Sequence, residues 1–392
     1  MRVSELDSVR GLAAFVVVLH HFWQTILPDQ NTFPLPGYPG AQPGALADTA
    51  FWISVSPLRL LFCGHAAVGV FFVLSGFALS KALQGSRQSG YGIFLIRRFF
   101  RIYPPFALVI LIAAALSWLI HPQAVPGRDW IDHYWRTSVT ANLLLGHLAM
   151  IDTAGYYNSL NSCMWTLVHE LRISFAFPFI AAAAFAYPRS VFAVSVALFS
   201  LLSITHLTGA LTAAIHPELL GQIALSLIQS VRYVMFFVLG IVLATRYPAF
   251  DALLTRHPAA KKYLWVAAAV LLAVPYSKGY LELAYAAGAF ILLVLCIHTP
   301  AARTFLRTPA LQWLGKVSYS LYLVHLVVLL AAVYLLHDVL PIAVILLLVL
   351  IVSLCAAQLL NRAVEMPSNE IGKRLTVRKD ARTPVISHNP LI

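Results

Sequence analysis

Long uncharged apolar runs alternate along the whole chain with short clusters of Arg, Lys, Pro and Gly. The runs fall at 10–27, 64–83, 103–121, 164–186, 190–208, 225–245, 261–276, 280–298, 317–337 and 340–361. A helix rises about 1.5 Å per residue, so a run of about 18 residues is enough to cross the hydrocarbon core of a bilayer. The pattern predicts an all-α, polytopic membrane protein of about ten transmembrane helices. The segment 138–151, SVTANLLLGHLAMI, is shorter and carries Asn142 and His147. It reads as an interfacial or re-entrant helix, which is tolerated in a membrane when protein buries it.

Charge placement orients these runs. With ten crossings, one side collects Arg2, Arg10, Lys81, Arg87, Arg97, Arg98, Arg101, Arg189, Arg246, Arg256, Lys261, Lys262, Arg303, Arg307, Lys316 and the basic end of the chain, while the other keeps Arg59, Arg128, Arg136 and Lys278. Cationic loops stay in the cytoplasm, so both termini are expected there. An eleventh crossing at 138–151 would put the cluster from Arg246 to Lys262 outside. Of the 392 residues 60% are hydrophobic and 11% charged, with a net charge of +12. Because the cations lie between apolar runs, they fit membrane topology and not nucleic-acid binding. The expected organisation is one transmembrane domain, 1–365, and a basic cytoplasmic tail, 366–392, frayed from about 376. The first run is read as a retained helix, since no small-residue cleavage site follows it. The loop 28–56, rich in Pro and Gly, is either a lid or a plain connection.

Chemistry enters at the first run. Arg10 and His21 are eleven residues apart, about three turns, and so share a helix face about 16 Å apart along the axis, whereas His20 does not share it. A cation at one end and an imidazole deep in the other half suit a ligand with a phosphate head and a reactive end on an arm. Arg10 could equally pair with Asp7, and His21 could be a packed, hydrogen-bonded histidine. Arg97, Arg98 and Arg101 are either a phosphate clamp or a positive-inside anchor. Glu170 lies about five residues into its run, where it could orient His21 or position an acceptor, or else form an ion pair with Arg172 or Arg232. Trp165, Asn161 and Arg232 are candidate acceptor contacts. Ser75 is a candidate donor contact or a close-packing residue, and His325, on a face with Ser318 and Tyr322, could line a donor channel. The four cysteines have no metal-ligand spacing, so no metal site is expected. Cys63 and Cys163 fall at the outer ends of runs and could pair, although buried inert thiols are the default.

Six strings then line up in order: ELDSVRGLAAFVVVLHHF (5–22), GHAAVGVFFVLSGFALS (64–80), RRFFRIYPPF (97–106), WTLVHELRISFAFP (165–178), RYVMFFVLG (232–240) and SYSLYLVH (318–325). Together they resemble the acyltransferase 3 family of integral membrane O-acyltransferases, over about residues 5–365. The resemblance implies an acyl-CoA donor, commonly acetyl-CoA, taken from the cytoplasm as a substrate with no bound cofactor. It also implies a carbohydrate or lipid-linked acceptor on the far side of a bacterial inner membrane; with no hydrolase-like stretch beside the apolar runs, the membrane domain is expected to act alone. Carried over by motif, it places His21 and Glu170 in catalysis and Arg10, Arg97, Arg98, Arg101 and Ser75 near the donor. Gly69 stands where many members carry an acid, a role that Glu170 or Asp7 would then take. A transporter or flippase for a lipid-linked sugar would also carry intramembrane ionisable groups, but paired half-repeats are not legible here.

Overall fold

The computed structural model describes residues 4–27, 52–53, 56–85, 90–127, 129–151, 159–207, 219–274 and 282–380. Most of the loop 28–56, residues 156–158, Arg87, Arg128, Lys278 and the chain beyond 380 lie outside the described residues. The helices are α1 Ser4–Ile26, α2 Gly64–Gly85, α3 Tyr91–Ile120, α4 Asp129–Asp132, α5 Ala141–Leu148, α6 Met164–Ala186 and α7 Pro188–Leu207. They continue with α8 Leu219–Arg256, α9 Ala260–Ala273, α10 Glu282–His298, α11 Pro300–Leu306, α12 Pro309–Leu336, α13 Ile342–Leu360 and α14 Met366–Asp380. Among the described residues, eight helices are long and apolar enough to cross a membrane. The number is nine if α10 and α11, which meet at a 90° bend, form one crossing. The shortfall from ten is at 261–276, where α9 has only 14 residues.

Two helix boundaries differ from the uncharged runs. The third run was read from 103 because Arg97, Arg98 and Arg101 interrupt it, yet α3 begins at Tyr91 and carries those arginines and Pro104–Pro105 within one 30-residue helix. Each proline removes a backbone donor, so the surrounding bundle must hold that turn. Likewise α8 runs 38 residues, through Arg246 and Pro248. The 8-residue α5 is far too short to cross, as expected for 138–151. Thr140 caps it by accepting from the Leu143 amide at 3.2 Å. His147 fixes the chain after it: Nδ1 donates to the Leu143 carbonyl at 2.9 Å, and Nε2 accepts from the Leu160 amide at 3.3 Å. That pair of bonds requires a neutral ring, and burial pushes the imidazole of His147 down to about 4.

α1 lies against α12 and α2, and α2 against α8. These contacts are closest where side chains are absent. Gly76 and Gly240 meet at the α2–α8 crossing, where a methyl on either would strike the backbone of Phe237 or of Val73 and Phe77. Backbones drawn together in this way gain dispersion contacts, the main attraction available between helices in lipid. Polar ties fix the register of α1. Gln312 donates to the Ser4 carbonyl at 2.9 Å and to Ser8 Oγ at 2.7 Å, and buried Glu5 accepts from Arg303 at 3.1 Å and Arg307 at 2.7 Å. The first part of the expected tail, 366–380, is helical; α14 packs on α3, and Arg97 Nε donates to Thr376 Oγ1 at 2.8 Å.

Candidate active site

Two cavities open along the inner face of α1, and the eleven-residue spacing assigns one residue to each. His21 lines a chamber of about 510 Å³ together with His20, Gln24, His65, Trp130, His133, Tyr134, Ser159, Ser162, Cys163 and Trp165. Arg10 lines a narrower space of about 50 Å³ with Phe71, Ser75, Arg101, Thr166, Glu170, Ser318 and Tyr319. Tyr322 belongs to the walls of both. The cavities therefore meet at one phenol on α12.

His21 is buried between two rings. Trp130 lies nearly parallel to it, with centroids 5.4 Å apart and planes 22° apart, and His325 meets it edge to edge, with centroids 5.0 Å apart. A hydrogen-bond chain settles the tautomers. The Leu321 carbonyl only accepts, so His325 Nδ1, 3.0 Å away, carries the proton, and a neutral His325 leaves Nε2 bare. His21 Nδ1 lies 2.9 Å from that Nε2 and must be the donor. In the neutral ring this leaves Nε2 of His21 as the basic atom. His20, by contrast, turns its Nδ1 to the Phe62 carbonyl at 2.8 Å.

Around the narrow cavity the arginines divide. Arg98 is buried and donates through Nη2 to Glu170 Oε1 at 2.6 Å and through Nε to Ser174 Oγ at 2.9 Å. Ser75 Oγ also donates to Glu170 Oε1, at 2.9 Å, so one carboxylate ties α2, α3 and α6 together. Arg101 is exposed and shares the cavity wall with Arg10. Arg97 faces α14. Of the three expected donor contacts on α3, Arg101 alone lines this cavity.

Several expected placements are corrected. Glu170 does not reach His21; its partners are Arg98 and Ser75, and His325 occupies the place beside the base. Nor does it pair with Arg172, since two residues on a helix are about 200° apart. Arg172 donates instead to Ser226 Oγ at 2.7 Å. Arg232 lines neither cavity; it pairs with buried Glu282 at 2.7 Å, because a buried carboxylate on α10 needs a cation and Arg232 on α8 faces it. Asn161 is spent internally, donating to the Leu323 carbonyl at 3.0 Å and accepting from the Cys163 amide at 3.1 Å. His325 lines the base and not a donor channel. Trp165 does line the large chamber. Cys63 and Cys163 are both free thiols: Cys63 donates to the Arg59 carbonyl, and Cys163 Sγ lies 3.7 Å from His325 Nε2.

His21, Cys163 and His325 present one ligand atom each within 4.8 Å of one another. Such a set suits a borderline ion, and sequence spacing could not reveal it, because the three come from α1, the turn before α6 and α12. The hydrogen bond from His21 to His325 uses two of those three atoms. Ser159 and Ser162 fall in the loop 156–163, a candidate for sugar contacts from the sequence, whereas Trp130, Tyr134 and Tyr322 have no assignment there. Only Tyr322 gave a signal, by sharing a face with His325.

No solved structure matches the chain. A curated relative, O-acetyltransferase PaAT-1 of Phomopsis amygdali, is 27% identical over 203 residues, which cover 44% of this chain and 38% of the relative. The chain thus matches well under half of that relative's length. A family model described as acyltransferase domain matches residues 3–362. With five of the six motifs contributing residues to the walls of the His21 and Arg10 cavities, the chain belongs to the acyltransferase 3 family of integral membrane proteins.

Proposed function

We propose that this protein is a membrane O-acyltransferase that moves an acyl group from cytoplasmic acyl-CoA to a hydroxyl of an extracytoplasmic carbohydrate or lipid-linked acceptor. The setting is a bacterial inner membrane with both termini in the cytoplasm. One observation carries the reading: on a single helix, Arg10 and His21 line two cavities that meet at Tyr322. Arg10 and Arg101 hold the phosphates of the nucleotide end, where guanidinium groups bind oxyanions in charge-assisted pairs. The pantetheine arm runs past Phe71 towards Tyr322. At about 50 Å³ this space is a neck, so the arm displaces side chains as it enters. The acceptor occupies the large chamber, where Trp130, Tyr134 and Trp165 offer aromatic faces to a sugar ring and Gln24, Ser159 and Ser162 offer hydrogen bonds. An acetyl donor is favoured by the relative named as an O-acetyltransferase.

The reaction balances without an external reagent. The acceptor oxygen attacks the thioester carbonyl as its proton passes to Nε2 of His21, and a C–O bond forms. The tetrahedral oxyanion collapses, the C–S bond breaks, and the CoA thiolate takes the proton back from the imidazolium. Purified protein with acetyl-CoA and a hydroxyl acceptor is expected to release free thiol. Arg10→Ala and Arg101→Ala should each raise the KM for acetyl-CoA by about 10- to 100-fold with a smaller change in kcat, the loss expected when a hydrogen bond to a charged group is removed. A transporter or flippase would release no thiol, and an unchanged KM in both variants would remove the arginines from the donor site.

A further inference from the structure

Acyl transfer through a tetrahedral intermediate needs a donor for the oxyanion, and the base His21 cannot supply it. The thioester carbonyl must come to rest where the two cavities join. Tyr322, buried on α12, lines both cavities. Its hydroxyl lies 2.6 Å from Thr166 Oγ1, and Thr166 Oγ1 in turn donates to the Cys163 carbonyl at 3.1 Å. The Cys163 carbonyl is 3.4 Å from the phenol, so Thr166 is its closer donor. Either hydroxyl of the Thr166–Tyr322 pair can donate; with Thr166 giving its proton to the Cys163 carbonyl, the phenolic proton rests on the Thr166 oxygen, and from there it can swing to a stronger acceptor. The ring is held in place, with Phe71 edge-on at 5.5 Å and His325 at 6.0 Å.

We propose that the Tyr322 hydroxyl, parked on Thr166 in the resting protein, donates to the oxyanion formed from the thioester carbonyl during transfer. This rests on the acyltransferase reading above. The phenol donates a hydrogen bond and keeps its proton, so the balance of the reaction is unchanged. A pre-placed donor in a site shielded from water strengthens as charge develops, and removing one such donor costs about 10²–10³ in kcat. Thr166 is the positioning residue, because its hydroxyl is the phenol's shortest hydrogen-bond partner at 2.6 Å, against 3.4 Å to the Cys163 carbonyl.

The experiment is steady-state thiol release from acetyl-CoA by full-length Tyr322→Phe, Thr166→Val and Thr166→Ser, beside His21→Ala, with thermal unfolding and CoA affinity measured on each. Tyr322→Phe keeps the ring and its packing. It is expected to lose about 10²–10³ in kcat with KM for acetyl-CoA, CoA affinity and melting temperature within about twofold or a few degrees of the parent. Thr166→Val should lose less, and Thr166→Ser, which restores a hydroxyl, should recover most of the loss. A Tyr322→Phe enzyme with parental kcat, alongside an inactive His21→Ala, overturns the oxyanion assignment and leaves the acyltransferase reading intact. Parental thiol release from His21→Ala overturns the base assignment and the proposal with it, whereas no release from the parent itself overturns the acyltransferase reading. Loss of kcat matched by an equal loss of CoA affinity or of melting temperature assigns Tyr322 to structure and also overturns the proposal.

Discussion

Replacing His21 with alanine is expected to lower kcat for acyl transfer by about 10²–10⁴-fold, the usual contribution of a positioned general base. CoA affinity should hardly change, because Arg10 and Arg101 line the other cavity. The direction of the effect depends on more than the imidazole. His325 accepts the Nδ1 proton of His21 at 2.9 Å and thereby leaves Nε2 as the base. A residue at 325 that can accept should therefore preserve part of the activity, so His325→Gln is expected to retain more than His325→Leu. His20 provides the control: its Nδ1 is engaged by the Phe62 carbonyl, and His20→Gln should cost less than His21→Gln. The measurement is thiol release at saturating acetyl-CoA and acceptor. Greater sensitivity at His20 than at His21 would move the base to the neighbouring residue and break the shared face with Arg10.

The second large effect is on stability. Glu170→Ala is expected to cost about 3–5 kcal/mol, because it leaves the buried guanidinium of Arg98 without its anion. Arg98 is only 8% exposed, so water cannot take over as the partner. Ser75 loses its acceptor in the same step. Glu170→Gln keeps an oxygen to accept from both and should fall between. Removing both charges, as in Glu170→Leu with Arg98→Met, should recover much of the loss, since the desolvation cost of the two ions disappears with their attraction. Thermal unfolding in detergent, read against the parent, checks the order parent, double variant, Gln, Ala. A Glu170→Ala protein that unfolds with the parent would show that this carboxylate does not hold α2, α3 and α6 together.

Much of the architecture was legible because lipid imposes one rule everywhere: apolar runs of crossing length. The reading erred where charge sits inside a helix. Arg97, Arg98 and Arg101 made the third run seem to start at 103, whereas α3 begins at Tyr91, because Arg98 is neutralised by an anion on α6. The site was legible within an element and not between elements. Helical periodicity set Arg10 and His21 on one face and His20 off it; Arg10 and His21 each line a cavity, but His20 lines the His21 chamber as well. Periodicity could not say that His325, 304 residues further on, would stand beside His21, nor that Glu282 would claim Arg232 and Arg98 would claim Glu170. Such pairings depend on which helices are neighbours, information that a run of apolar residues does not carry. Asn161 misled for a related reason: a polar residue at the chamber's edge was spent on backbone groups, which always need partners when buried.

If one helix joins a donor site on one side of the membrane to a base that serves an acceptor on the other, a single turnover spans the bilayer. This is tested most directly in sealed vesicles that hold the protein in one orientation, with the Arg101 end inside. Acetyl-CoA is trapped in the lumen, and a membrane-impermeant hydroxyl acceptor is added outside. Free thiol is expected to accumulate within and acylated acceptor outside, in equal amounts. Turnover only when donor and acceptor share a compartment would contradict a reaction that spans the bilayer.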